Sequence, residues 1–134
     1  MSRIFALLIT SFVLACQPAT TNTTTPKEKQ PYLIVLGNVQ DAGYPQIGCM
    51  KACCKEHWHP NAQKKSITAL GIVDPSSNQT WLFEASPDFK HQTKVLSNQL
   101  DAHQFQLPSG IFLTHGHIGH YVGLMHLGRE AMGA

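Results

Sequence analysis

The segment Thr114-His115-Gly116-His117-Ile118-Gly119-His120 constrains this chain more than any other. It follows a short apolar run, residues 110–114, that reads as a strand. It precedes Val122, Leu124, Met125, Leu127 and Met132, whose spacing predicts a helix from about Gly119. Residues two apart in an extended segment point the same way, so His115 and His117 can offer neutral imidazoles to one metal ion. His120 then turns in from the first helical turn, and Gly116 and Gly119 leave room for backbone to crowd around the ion. The competing reading is a set of surface or capping histidines that hold nothing.

The rest of the chain supports a layered α/β fold. Tyr32-Leu33-Ile34-Val35-Leu36-Gly37 reads as a buried strand closed by glycine. Residues 67–73 and 80–84 read as two more, joined by the turn-forming Asp74-Pro75-Ser76-Ser77-Asn78 into a hairpin. Ser86-Pro87-Asp88 is a helix start, with Ser at the N-cap, Pro at the first helical position and Asp in the first turn, and the helix is expected to run to about Leu100. The order strand, hairpin, helix, strand, helix fits layers of helix on sheet. With 43% hydrophobic and 13% charged residues, collagen-like and highly charged disordered classes are excluded. A net charge of +2 and no interleaving of aromatic with basic residues point away from nucleic acid. There is no Gly-rich phosphate loop and no G-x-S-x-G nucleophile elbow.

The first thirty residues carry an address. Arg3 is followed by an apolar run, residues 4–15, broken by Thr10 and Ser11 and ending at Cys16. It is too short to span a bilayer, which takes about 20 residues, and suits an export signal. Val13-Leu14-Ala15-Cys16 resembles a bacterial lipobox, in which the cysteine becomes the lipidated first residue. Residues 1–15 are accordingly expected to be a signal peptide, 16–31 a polar Thr- and Pro-rich linker, and 32–134 the folded part. The protein is expected to be exported and held at a membrane, on the periplasmic or cell-surface side, by lipid on Cys16.

A second cluster is Cys49-Met50-Lys51-Ala52-Cys53-Cys54-Lys55-Glu56-His57-Trp58-His59. Its thiols and imidazoles can supply four ligands to a structural zinc, with Cys49, Cys53, Cys54 and His57 as the candidate set. An exported protein also meets oxidising conditions, so a disulfide is the alternative, and adjacent Cys53 and Cys54 make awkward partners, which favours a bridge through Cys49. Free thiols are the third option.

The histidine segment resembles the H-x-H-x-D-H motif of the metallo-β-lactamase superfamily. Leu36-Gly37, Asp41-Ala42-Gly43-Tyr44-Pro45-Gln46, the Cys cluster and Glu84-Ala85-Ser86-Pro87-Asp88-Phe89 extend the likeness toward the branch of the pyrroloquinoline quinone biosynthesis protein B. The resemblance covers roughly residues 32–134. It implies an αββα sandwich of which this chain holds only the first αβ half. It also implies that His115 and His117 bind one metal and His120 a second. Gly119 stands where the motif has its aspartate, so the second ion loses a charged oxygen, and one tightly bound zinc is expected rather than two. Gly119→Asp is expected to raise occupancy of the second site if the local backbone accepts a Cβ.

The resemblance implies a zinc-dependent hydrolase acting on a small molecule, with no catalytic residue assigned beyond the metal ligands. The alternatives are a non-catalytic metal-binding lipoprotein or an inactive fragment, and a metal-dependent oxidoreductase or quinone-cofactor-related protein of the same fold. Among lesser candidates, Asp88 is explained by its place in a first helical turn. Glu84 either faces the metals from its strand end or is a solvated edge charge. His126, six residues beyond His120, falls on another helix face, and His91 and His103 carry no pattern.

Overall fold

The apolar run from Tyr32 forms strand β1, Tyr32–Gly37. The structure, a computed structural model, describes residues 29–133. The expected signal peptide, Cys16 and the linker as far as residue 28 lie outside the described residues. After β1 comes a long connection containing the single-turn helix α1, Ala52–Lys55, and then the hairpin of β2, Ala69–Asp74, and β3, Gln79–Phe83. Helix α2, Phe89–Ser97, leads to β4, Gly110–Phe112. The sheet order is β1-β2-β3-β4, antiparallel except for β3 and β4, which are parallel. A parallel neighbour needs a crossover, and α2 provides it.

The hairpin forms where the sequence places it because Asp74 closes its own turn. Its carboxylate accepts from the Ser76 amide at 2.9 Å and from the Ser77 hydroxyl at 2.7 Å. Bonds from the Ser76 and Ser77 hydroxyls, then from their amides, pull its pKa down to about 2. Asn78 takes the left-handed conformation, φ 54°, that Asn tolerates better than most side chains.

The start of α2 differs from expectation. Ser86 does accept the Asp88 amide, at 3.1 Å, and it donates to Gln92 Oε1 at 2.8 Å. The first helical residue is nevertheless Phe89, with Asp88 at the N-cap position and no side-chain cap from it. The Asp88 carboxylate turns away to the segment before β2, accepting from Lys64 Nζ at 2.7 Å and from the Ile67 amide at 3.0 Å. Burial pushes its pKa up, but Lys64 and the Ile67 N–H outweigh it and hold the group below its ordinary value. Asp88 ties α2 to the β1–β2 connection, and the first-turn dipole role expected of it is secondary. The helix also stops at Ser97, short of Leu100.

The last expected helix is broken. A single α turn, α3, Ile118–Tyr121, gives way to a 3-10 stretch, Val122–Leu127. The Gly123 amide donates to Ala85 O at 2.8 Å, and His120 O accepts the Ala85 amide at 2.8 Å. These backbone groups bond to the corner between β3 and α2 instead of to their own helix, so the α ladder cannot continue.

The two faces of the sheet are unequal. Leu36, Ala69, Val73, Leu82, Ala85, Phe89 and Leu96 form the core between sheet and α2. Gly71 lies under Leu96, where any Cβ would collide with it, so its missing side chain lets α2 settle onto the sheet. The opposite face carries Leu33, Val35, Leu70 and Phe112, all exposed, so β1 is not the buried strand its apolar run predicts: nothing among the described residues covers that face. The register aligns Val35, Leu70, Phe83 and Phe112 in one row across that face. This is a partial αββα sandwich, with helix over one face and an apolar face open on the other.

Candidate metal centre

The histidine segment leaves β4 in extended conformation, with His117 at φ −74° and ψ 139°, and enters α3 at Ile118. His115 and His117 therefore project alike. His115 Nε2 and His117 Nδ1 stand 3.1 Å apart. Thr114 Oγ1 lies 2.9 Å from His115 Nδ1. In the tautomer that donates from Nδ1 to Thr114, Nε2 keeps its lone pair for a ligand, the arrangement that orients metal-binding imidazoles.

His120 packs against His115, ring centroids 4.0 Å apart, but is itself well buried, with a side-chain exposure of 14%. Its Nδ1 lies 3.0 Å from Glu84 Oε2, and its Nε2 lies 3.9 Å from Asp41 Oδ2. The Nδ1 and Oε2 atoms are misaligned for a hydrogen bond, and both are buried without one. Two buried polar atoms left without hydrogen bonds are costly unless another charge compensates them. A cation on the far side of the imidazole would do so, and this is the observation that makes the residues fit a metal.

Glu84 is thus a buried partner of His120 and no solvated edge charge. Its Oε1 also accepts the Thr114 amide at 3.1 Å. Its backbone is held at φ 75°, in the left-handed region, with its amide bonded to Phe112 O at 2.8 Å. A non-glycine residue there costs about 1–3 kcal/mol, a strain typical of functional sites.

The three imidazoles pack together through His115, but their donor atoms do not all lie within 4.8 Å of one another. Among the described residues, the only trio of His, Cys, Asp or Glu whose donor atoms all lie within 4.8 Å of one another is Cys49, Cys53 and Cys54. His115 packs against both His117 and His120, and His120 lies between Glu84 and Asp41. Asp41, on the loop after β1, was not singled out by the sequence as a ligand. It opens the Asp41-Ala42-Gly43-Tyr44-Pro45-Gln46 run that extends the resemblance, but no spacing ties it to the histidines, because only the fold brings that loop against α3. The contact is tight at Gly119, where a Cβ would lie 2.6 Å from Asp41 Cβ and 2.7 Å from Asp41 O. An aspartate at position 119 therefore has no room.

The other candidates fall away from this centre. His126 stacks on Phe89, centroids 6.4 Å apart, and helps line a cavity of about 440 Å³ beside α2. A smaller cavity of about 290 Å³ adjoins the site, bounded by Thr68, Leu70, Phe83, Glu84, Thr114 and His120. In the Cys cluster, Cys49 and Cys54 are joined as a disulfide with Cα atoms 5.9 Å apart, and Cys53 is the free thiol, 3.7 Å from Cys54 Sγ. His57 is not part of that sulfur trio. Its ring sits edge-on to Tyr44, and its Nδ1 is buried without a hydrogen bond.

Two solved structures share this architecture. Zinc-bound PqqB from Methylobacterium extorquens matches 71% of this chain and 35% of its own, at 23% identity and a TM-score of 0.56. A diphosphatase of the PhnP family matches 72% of this chain and 34% of its own, at 26% identity and a TM-score of 0.52. The chain thus spans about a third of the length of either. No protein-family model and no curated protein matches it. The described residues carry part of the metallo-β-lactamase fold. The likeness to PqqB is one of fold.

Proposed function

We propose that this chain belongs to a zinc-dependent hydrolase acting on a small molecule, with His115 and His117 holding the ion and His120 beside them. The observation that carries this reading is the pairing of His115 Nε2 with His117 Nδ1 at 3.1 Å, next to a buried His120 backed by Glu84. Two nitrogens that close can both reach an ion at about 2.0–2.1 Å. When bound, zinc lowers the pKa of a coordinated water toward 7 and polarises the bond under attack. The chain's own residues supply the orientation: Thr114 holds the His115 ring, and Glu84 stands 3.0 Å behind His120. A neighbour in fold that is zinc-bound PqqB and a second that is a diphosphatase support metal-assisted hydrolysis.

The test is hydrolysis of an activated phosphodiester, bis(p-nitrophenyl) phosphate, by the full-length gene product. Activity is expected to vanish on chelation and return with zinc. Tight zinc binding with no hydrolysis of this or other activated esters would favour a non-catalytic metal-binding protein.

Export and lipid anchoring through Cys16 belong to the same proposal, resting on the Leu14-Ala15-Cys16 sequence after a short apolar run. No helix among the described residues is long and apolar enough to cross a membrane. Cys16→Ser is expected to move the protein from the membrane fraction to the soluble fraction. Retention as tight as the parent's would remove the lipid from the account.

A further inference from the structure

We infer that Asp41 takes over the role of the carboxylate missing at Gly119, so that His120 Nε2 and Asp41 form the core of a second metal site. The inference rests on the proposed zinc centre at His115 and His117 and adds to it a ligand from a different part of the chain.

Three observations converge on Asp41. The first is space. The loop after β1 presses on α3 so closely that a Cβ at Gly119 would overlap both Asp41 Cβ and Asp41 O, at 2.6 and 2.7 Å. The seat of a side chain at position 119 is therefore filled, and the residue filling it brings a carboxylate.

The second is direction. Glu84 Oε2 stands at 3.0 Å on the Nδ1 side of His120, leaving Nε2 as the ligand nitrogen, and the carboxylate facing Nε2 is that of Asp41 at 3.9 Å. Two donors sharing a four-coordinate ion at about 2.1 Å stand roughly 3.4 Å apart, so this pair needs to close by only about half an ångström. A carboxylate behind the imidazole is where the outer support of a metal-binding histidine stands, and Glu84 Oε2 occupies that place without meeting the Nδ1 hydrogen.

The third is charge. Glu84 Oε2 and His120 Nδ1 are buried without hydrogen bonds, and Asp41 adds a second carboxylate within reach of the same ring. Two carboxylates around one imidazole form a site short of positive charge, which a divalent cation supplies. The missing side chain at Gly119 was the reason to expect one ion. With Asp41 in its place that reason is gone, and two are expected.

The decisive measurement is a zinc titration of the full-length gene product against a chromophoric chelator, under non-reducing conditions in a Cys53→Ser background so that no free thiol of the cluster adds an equivalent. The parent is expected to hold two ions. Asp41→Asn keeps the shape of the residue and its packing on Gly119 but removes the charge. It is expected to weaken one ion by at least the roughly 10- to 100-fold that losing an outer partner costs, and to leave the other unchanged. Gly119→Ala, which adds no ligand and removes none, is expected to weaken the same ion by displacing Asp41.

Two tight ions in Asp41→Asn would overturn the inference while leaving the His115 and His117 centre intact. Equal weakening of both ions would overturn it too, by showing that Asp41 acts only through structure. A single ion in the parent, unaffected by Asp41→Asn and lost in His117→Ala, would likewise overturn it. No ion in the parent would overturn the zinc centre itself, and the inference with it.

Discussion

His115→Ala and His117→Ala are each expected to lower zinc affinity at the imidazole pair by more than about 100-fold and to abolish hydrolysis. Losing an outer partner of a metal ligand already costs about 10- to 100-fold, and a ligand nitrogen contributes more than its partner does. Either substitution leaves the other imidazole facing empty space at what was a 3.1 Å separation. His126→Ala is the control, because its ring stacks on Phe89 away from this centre. Zinc per chain after exhaustive dialysis, in the Cys53→Ser background, decides the matter. Parent-like content in His115→Ala would show that the ion sits elsewhere.

Phe89→Ala is expected to destabilise the fold by about 3–5 kcal/mol, the usual cost of emptying a buried aromatic position. Phe89 is 2% exposed and opens α2 at the corner where the 3-10 stretch arrives. Its amide bonds to Ser86 O at 3.0 Å, its ring stacks on His126, and its Cβ lies beneath Gly123. A void there loosens both the core and the segment that carries His120. Denaturant unfolding should show a lower midpoint with an unchanged slope. Ile47→Ala, at a fully exposed side chain, should change stability by less than about 0.5 kcal/mol. A Phe89→Ala loss as small as that would mean the corner closes over the void.

The strands and the histidine segment were legible because their signals are local. Period and turn chemistry within a few residues specify β1, the Asp74 hairpin and the extended approach of His115 and His117 to a helix start. The helix ends were less legible. Whether Gly123 continues a helix depends on where its amide finds an acceptor, and that acceptor is Ala85 O, distant in sequence. Asp88 is the same case. Its first-turn position predicted a dipole role, but Lys64 and the Ile67 amide offer stronger partners once the β1–β2 connection folds back.

The site divides along the same line. The sequence by itself determined that His115 and His117 face one way, since alternation in an extended chain follows from backbone geometry alone. It also determined that position 119 has no carboxylate. Only the tertiary structure decided where Glu84 and Asp41 sit. Glu84 was equally consistent with an edge charge until burial against His120 set its role. Asp41 was one residue of a loop motif until the loop after β1 was seen packed onto Gly119. The physical reason is that orientation along a chain is set by neighbouring dihedrals. The meeting of a carboxylate with an imidazole from another element is set by how sheet and helix pack, and residue spacing does not encode that distance.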